Sequence, residues 1–221
     1  MRHGLVRRLR LPFLPRLDPE VAPAVERADA PPPAPEIEFV AYAEDCRLTG
    51  RLRLDAARLT DLLNDHDEFE LIGVLVERLS DASSLEVRNL AVARDELLVV
   101  AASGPRGDPG RRQRVRPHPI AVQLGPYHVR GYIHVLPGAD PIVVMRRRRP
   151  MVPLTEAWIE WTQGGATVRR HENVLIVNRS LADWVQSVTD ADVDLPSVPE
   201  LPRPVETGRL VKDFTGELLT G

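Results

Sequence analysis

The chain is poor in cysteine, lysine, aromatic side chains and long apolar runs, and each shortage removes a class of protein. It has a single cysteine, Cys46, which excludes an intramolecular disulfide and a cysteine-built zinc cage. No apolar run approaches the roughly 20 residues that a membrane-spanning helix requires. The first ten residues, Met1-Arg2-His3-Gly4-Leu5-Val6-Arg7-Arg8-Leu9-Arg10, are basic, but no apolar stretch follows them. No secretory signal is expected, and the cytoplasm is the expected compartment. HExxH, GxSxG, P-loop and GxGxxG patterns are all missing. The expectation is therefore a protein that is not an enzyme, with no catalytic residues, no cofactor and no metal. Aromatic residues make up 5% of the chain, against 21 prolines, which places part of it outside any core. The 43% of hydrophobic residues still suffices to build one. At 221 residues the chain is long enough for one domain or two small ones.

What is present is a pattern that occurs twice. Arg47-Leu48-Thr49-Gly50-Arg51-Leu52-Arg53-Leu54 alternates apolar and polar residues, with glycine in the second apolar slot. His128-Val129-Arg130-Gly131-Tyr132-Ile133-His134-Val135 repeats that arrangement. Period-two alternation marks a strand with one buried face, and an interior glycine marks a bulge where another backbone passes close. The surroundings match as well. Ile120, Val122 and Leu124 fall on Phe39, Ala41 and Ala43, while Leu154 and Glu160 fall on Leu71 and Glu77. An internal duplication is the result.

Taken in order, residues 1–36 form a basic, leucine-bearing head followed by a polyproline-type linker. Residues 37–102 form the first repeat: a hairpin, a short helix at Arg58–Asn64, a strand over Phe69–Leu79 buried on both faces, and a closing hairpin. Residues 103–118 read as an arginine-, glycine- and proline-rich loop. Residues 119–188 form the second repeat, ending in a short helix that Ser180 caps and that carries Leu181, Trp184, Val185 and Val188. Trp158 and Trp161 fall on opposite faces of one strand, so one belongs to the core. Residues 189–221 are a proline-rich acidic tail. Its end carries Leu210, Val211, Phe214, Leu218 and Leu219, a pattern suited to docking on a partner as well as to a simple chain end.

Charge is divided between the repeats. Residues 37–102 hold 14 acidic residues against 7 arginines, a net of −7, and residues 103–188 hold 6 against 13, a net of +7. Such asymmetry points to partners or to self-association. Of the 29 basic residues, only Lys212 is not arginine.

The succession of hairpin, glycine-bent strand, buried strand and closing hairpin resembles the Sm-like and SH3-like small β-barrels. In the Sm-like family a Gly-x-Leu step leads to an aspartate and then to a hydrophobic-Asn pair. Gly50-Arg51-Leu52, Asp55 and Leu63-Asn64 are similar to that motif. The resemblance implies an RNA-base contact for Asn64; the second copy carries arginines at the corresponding place. Arg58-Leu59-Thr60-Asp61-Leu62-Leu63-Asn64 also resembles an uncharacterised bacterial domain of RLxDLLN type, which implies no activity. The expected architecture is all-β: two tandem five-stranded barrels, packed as a pseudo-symmetric pair.

Two site readings follow from the residues. Arg146, Arg147, Arg148 and Arg149 form the sharpest local feature. With Arg111, Arg112, Arg114 and Arg116 in the preceding loop, and His128, Arg130 and His134 on one strand face, they suit a phosphate-bearing partner. Tyr132 on that face would stack on a base. The competing reading is a solvated turn that pairs with the acidic repeat. Asp61, Asp65, His66, Asp67 and Glu68 lack the glycine and the ligand spacing of a calcium loop, and read as an acidic turn. The leading expectation is a non-enzymatic adaptor or scaffold whose repeats dock or oligomerise and whose terminal segments recruit protein partners. The alternative is binding of RNA or single-stranded DNA through the arginine-rich face of the second repeat.

Overall fold

A computed structural model describes residues 34–105 and 114–194. The expected basic head, Arg111 and Arg112, and the C-terminal motif of Leu210, Val211, Phe214, Leu218 and Leu219 lie outside the described residues. In the first repeat, β1 (Glu36–Tyr42) and β2 (Cys46–Arg53) form a hairpin, followed by α1 (Leu59–Asp65), β3 (Glu68–Arg78), β4 (Ser84–Ala93) and β5 (Val99–Ala101). The second runs through β6 (Arg116–Leu124), β7 (Tyr127–Val135), α2 (Pro141–Arg147), β8 (Met151–Gln163), β9 (Ala166–Asn178) and β10 (Trp184–Ser187), and ends in α3 (Asp190–Asp194).

Local chemistry explains most of these elements. Leu59, Leu62 and Leu63 give α1 one apolar side, which is buried. Asp140 caps α2 by accepting from the backbone N–H groups of Ile142 and Val143, with Pro141 in the first turn. In β2 the alternation is borne out, since Leu48, Gly50 and Leu52 are buried while Arg51 and Arg53 are exposed.

The two glycines sit where the ladder breaks register. The β2–β3 pairing shifts between Thr49 and Arg51, and the β7–β8 pairing shifts between Arg130 and Tyr132. The extra residue on the facing strand has positive φ in both repeats: Gly73 at +59° and Glu156 at +45°. A Cβ at Gly131 would stand 2.8 Å from the Cβ of Ala157, and one at Gly50 would stand 3.1 Å from Cγ2 of Val74. Close backbone approach at a bulge is what each glycine permits.

The fold is all-β and antiparallel, but the two closed barrels are corrected. The strands form one ten-stranded sheet in the order β10-β6-β7-β8-β9-β5-β1-β2-β3-β4, not closed into a barrel. Within it each repeat has the same internal order: fifth strand, first, second, third, fourth. β5 pairs with β1 on one side and with β9 of the second repeat on the other, so that edge is taken by the neighbouring repeat. Three further expectations change. The closing hairpin does not form, because β4 pairs with β3 while β5 pairs with β1 and β9. β3 is not buried on both faces: Phe69, Leu71 and Val74 are buried, Glu68, Glu70 and Gly73 are exposed, and Leu75–Glu77 are half-buried. Trp184–Ser187 is a strand paired with β6, not a helix, and the short helix comes after it at Asp190–Asp194. Trp184 to Gln186 follow the 3-10 turn Arg179–Leu181 as Val99 to Ala101 follow the turn Arg94–Glu96, and both segments pair with the first strand of their own repeat.

The junction between the repeats holds much of the core. Val99, Val100 and Ala101 pair with Val177, Ile176 and Leu175. The ladder extends through Ala102 N–H to Val174 O (3.0 Å) and Asn178 N–H to Leu98 O (2.9 Å). Met151 and Ile176 of the second repeat pack into the first repeat's core, and Tyr42, Leu79, Leu98, Val99 and Ala101 pack into that of the second. Tyr42 meets Tyr127 and Trp161 edge-on, at 5.4 and 5.3 Å between ring centroids. Each such pair contributes on the order of 1 kcal/mol beyond its area burial. Trp161 is thus the core member of the tryptophan pair, and Trp158 is the half-buried one.

Candidate functional site

The expected cationic surface divides into an open part and a closed part. α2 ends in Arg146 and Arg147, where cations suit the negative end of the helix. Arg146, Arg147 and Arg149 are exposed, whereas Arg148 is half-buried. Arg148 donates to the carbonyl of His134, and its own carbonyl accepts from Arg179 Nε. Arg149 forms an ion pair with Asp65 across the junction at 2.8 Å. Arg114 and Arg116 are exposed, and Arg116 faces Val135 in the β6–β7 pairing. It therefore lies at the end of β7 from which the chain runs into α2.

The β7 side chains are largely engaged within the fold. Arg130 is only 8% exposed. Its Nε–H donates to His128 Nε2 at 2.9 Å, and Nη1 donates to the carbonyl of Asp192 in α3 at 2.8 Å. His128 Nδ1 lies 3.2 Å from Gln123 Oε1, and the imidazole leans against Trp184 with centroids 5.6 Å apart. Since Nε2 accepts from a guanidinium, the imidazole is neutral with its proton on Nδ1. Burial first, and then the Arg130 charge, push His128 down to about 4. His134 is lowered for the same two reasons, with Arg148 as the charge, and its Nε2 meets Thr155 Oγ1 at 2.8 Å. Tyr132 also interacts with neighbouring groups. Arg130 and His128 thus tie α3 and β10 to the sheet rather than standing on an open cationic face.

Asn64, to which the family resemblance assigned a base contact, has a structural place instead. Its amide nitrogen donates to the carbonyls of Thr60 and Met151, both at 2.9 Å, and its oxygen accepts from the Met151 backbone N–H at 3.1 Å. Both ends of the carboxamide are spent on clamping α1 to the start of β8. Neither this clamp nor the fully buried Asn178, which accepts from Ser180 N–H and donates to the Arg94 carbonyl, was anticipated from the sequence. The visible signal for Asn178 is a polar residue closing the apolar run Leu175-Ile176-Val177.

Three of the four acids in this turn are ion-paired: Asp61 with Arg58, Asp67 with Arg94, and Asp65 with Arg149 of the second repeat. Among the described residues no group of three histidine, cysteine, aspartate or glutamate side chains is arranged to hold a metal ion. Beside this turn, Leu52, Asp55, Leu62, His66, Phe69 and Glu70 line a shallow open groove. Cys46 opens β2 as a buried strand residue; burial, then Asp45, push its thiol up to about 12. A thiol so protected from ionisation is a poor nucleophile. No described helix is long and apolar enough to cross a membrane. The chain matches no protein-family model, no curated protein and no solved structure in these comparisons.

Proposed function

We propose that this chain is a non-enzymatic scaffold: a body of two edge-docked β repeats, each related to the Sm-like and SH3-like small barrels, with partner-recruiting segments at both ends. The observation that supports it most is the junction itself, where strand-edge pairing, the Asn64 clamp and shared core residues join one repeat to the next. Edge pairing of this kind is a general mode of protein recognition, because main-chain hydrogen bonds supply affinity while alternate side chains supply selectivity. The sequence flanking that body is rich in proline and ends in the apolar motif Leu210, Val211, Phe214, Leu218 and Leu219. Affinity capture with the full chain, compared with a version lacking residues 1–20 and 206–221, tests the recruiting role. Loss of the captured partners in the shortened version is the expected result. Retention of every one of them would defeat it.

A second reading, binding of RNA or single-stranded DNA, is favoured by one observation. Arg146 and Arg147 are exposed at the end of α2, and Arg114 and Arg116 lie at the same end of the sheet. Fluorescence anisotropy with short oligonucleotides at low and physiological salt tests it. Replacing Arg146 and Arg147 by alanine, and leaving the structurally engaged Arg148 and Arg149 in place, keeps the fold out of the comparison. This reading requires a steep salt dependence and a loss of binding in the variant; binding by neither protein at low salt would end it.

A further inference from the structure

The internal junction joins the fourth strand of the second repeat (β9) to the fifth strand of the first (β5). The two strands left at the ends of the sheet are the fourth strand of the first repeat (β4) and the fifth strand of the second (β10). They are the same two halves of the same junction, on opposite ends of one molecule. We infer that copies of this chain associate head-to-tail, with β4 of one adding antiparallel to β10 of the next in the register of the β9–β5 junction.

The register follows from the 3-10 turns that succeed the fourth strands, Arg94–Glu96 after Ala93 and Arg179–Leu181 after Asn178. Leu90, Ala91 and Val92 thereby correspond to Leu175, Ile176 and Val177, and Trp184, Val185 and Gln186 to Val99, Val100 and Ala101. The contact between copies then pairs Val92 with Trp184, Ala91 with Val185 and Leu90 with Gln186. Ala91 is exposed and Val185 half-buried, so apolar surface remains at both edges for that contact to cover. Leu85, further along β4, is 63% exposed.

Charge identifies the second copy as the occupant. In the junction, Asn64 near the end of α1 grips the backbone of Met151 at the start of β8. Aligning the two helices by their caps places Arg146, in the last turn of α2, where α1 has Asn64, and the start of β3, Glu68, where β8 has Met151. Between copies, the place of the asparagine clamp is thus taken by an arginine facing a glutamate. Both are exposed, and neither has an ion-pair partner among the described residues. The same step sets the basic repeat of one chain against the acidic repeat of the next, as the junction does within a chain. The contact between copies is the weaker of the two. Leu98 and Tyr42 of the junction are replaced by Asp183 and Gln123, and Ile176 by the smaller Ala91. Association is therefore reversible and sensitive to salt. Because the interface is heterologous, the product is a ring or an open array.

This deepens the scaffold reading by naming the partner of its free edges, and its test needs no terminal partner. Sedimentation velocity of the purified full chain over a wide range of concentration is the measurement. A mass average that rises with concentration is expected. Glu68→Arg or Arg146→Glu alone should weaken association about tenfold by placing like charges opposite each other, and the two together should restore it. Both positions are exposed, so circular dichroism should report an unchanged fold. A monomer at every concentration, association indifferent to the single substitutions, or failure of the double variant to recover would each overturn the inference. Loss of partner capture on removing the ends, with association intact, would fail only the recruiting role.

Discussion

Glu156 and Gly73 occupy the same bulge in the two repeats, and only one of them suits it. Glycine adopts φ +59° without strain, whereas a glutamate held at +45° pays on the order of 1 kcal/mol or more. Its one described compensation is a loose, exposed contact with the His171 imidazole at 3.6 Å. Glu156→Gly should raise stability by about 0.5–1 kcal/mol in denaturant unfolding, after the larger unfolded-state entropy of glycine is deducted. A loss would mean that the contact outweighs the strain. At His128 the prediction concerns acid. The folded imidazole is held down to about 4, while an unfolded histidine titrates near 6.5. Between these values the unfolded chain binds a proton that the folded chain refuses, so stability falls as pH drops through the window and is fully present above it. With the residual solvent around the ring discounted, the loss is on the order of 1–2 kcal/mol. Urea unfolding at neutral and mildly acidic pH should show a smaller loss for His128→Gln than for the unaltered chain; equal losses would contradict it.

At the scale of elements, the bulged strands were legible and the last strand was not. Alternation around Gly50 and Gly131 marked β2 and β7, and the glycines marked the bulges, because a pleated strand with one buried face writes its period into the sequence. Gly131→Ala should cost about 2–3 kcal/mol, since the new methyl would meet the Cβ of Ala157 at 2.8 Å and its Cα at 3.1 Å. Gly50→Ala should cost less, because its nearest contact is the methyl end of Val74 at 3.1 Å. Thermal unfolding of the two variants checks both the sign and the order. β10 misled because Leu181, Trp184, Val185 and Val188 have helical spacing. The segment becomes a strand by pairing with β6 through Trp184–Ser187, a non-local gain that local periodicity does not record.

At the scale of the whole molecule, the repeats are bound into one sheet with exchanged core residues. The described body should therefore unfold in a single cooperative transition, with fluorescence and far-ultraviolet circular dichroism coinciding. Two resolved transitions would show that the repeats are independent. Asn64→Ala, which strands the Met151 backbone groups at the junction, is the substitution most suited to separating them.

The sequence by itself determined the duplication, the opening hairpin of each repeat, the positions of the glycine bulges and the division of charge between halves. Each is a local pattern, or a comparison of the chain with itself. Only the tertiary structure decided that the repeats share one open sheet, that Asn64 clamps a backbone, and that Arg130 is bound to α3 and His128 packed on Trp184 rather than both standing on a free face. Those outcomes depend on which strand edge meets which and on what covers a given side chain. Main-chain N–H and C=O groups, identical at nearly every residue, make the edge contacts, so one repeat read alone does not name its neighbour.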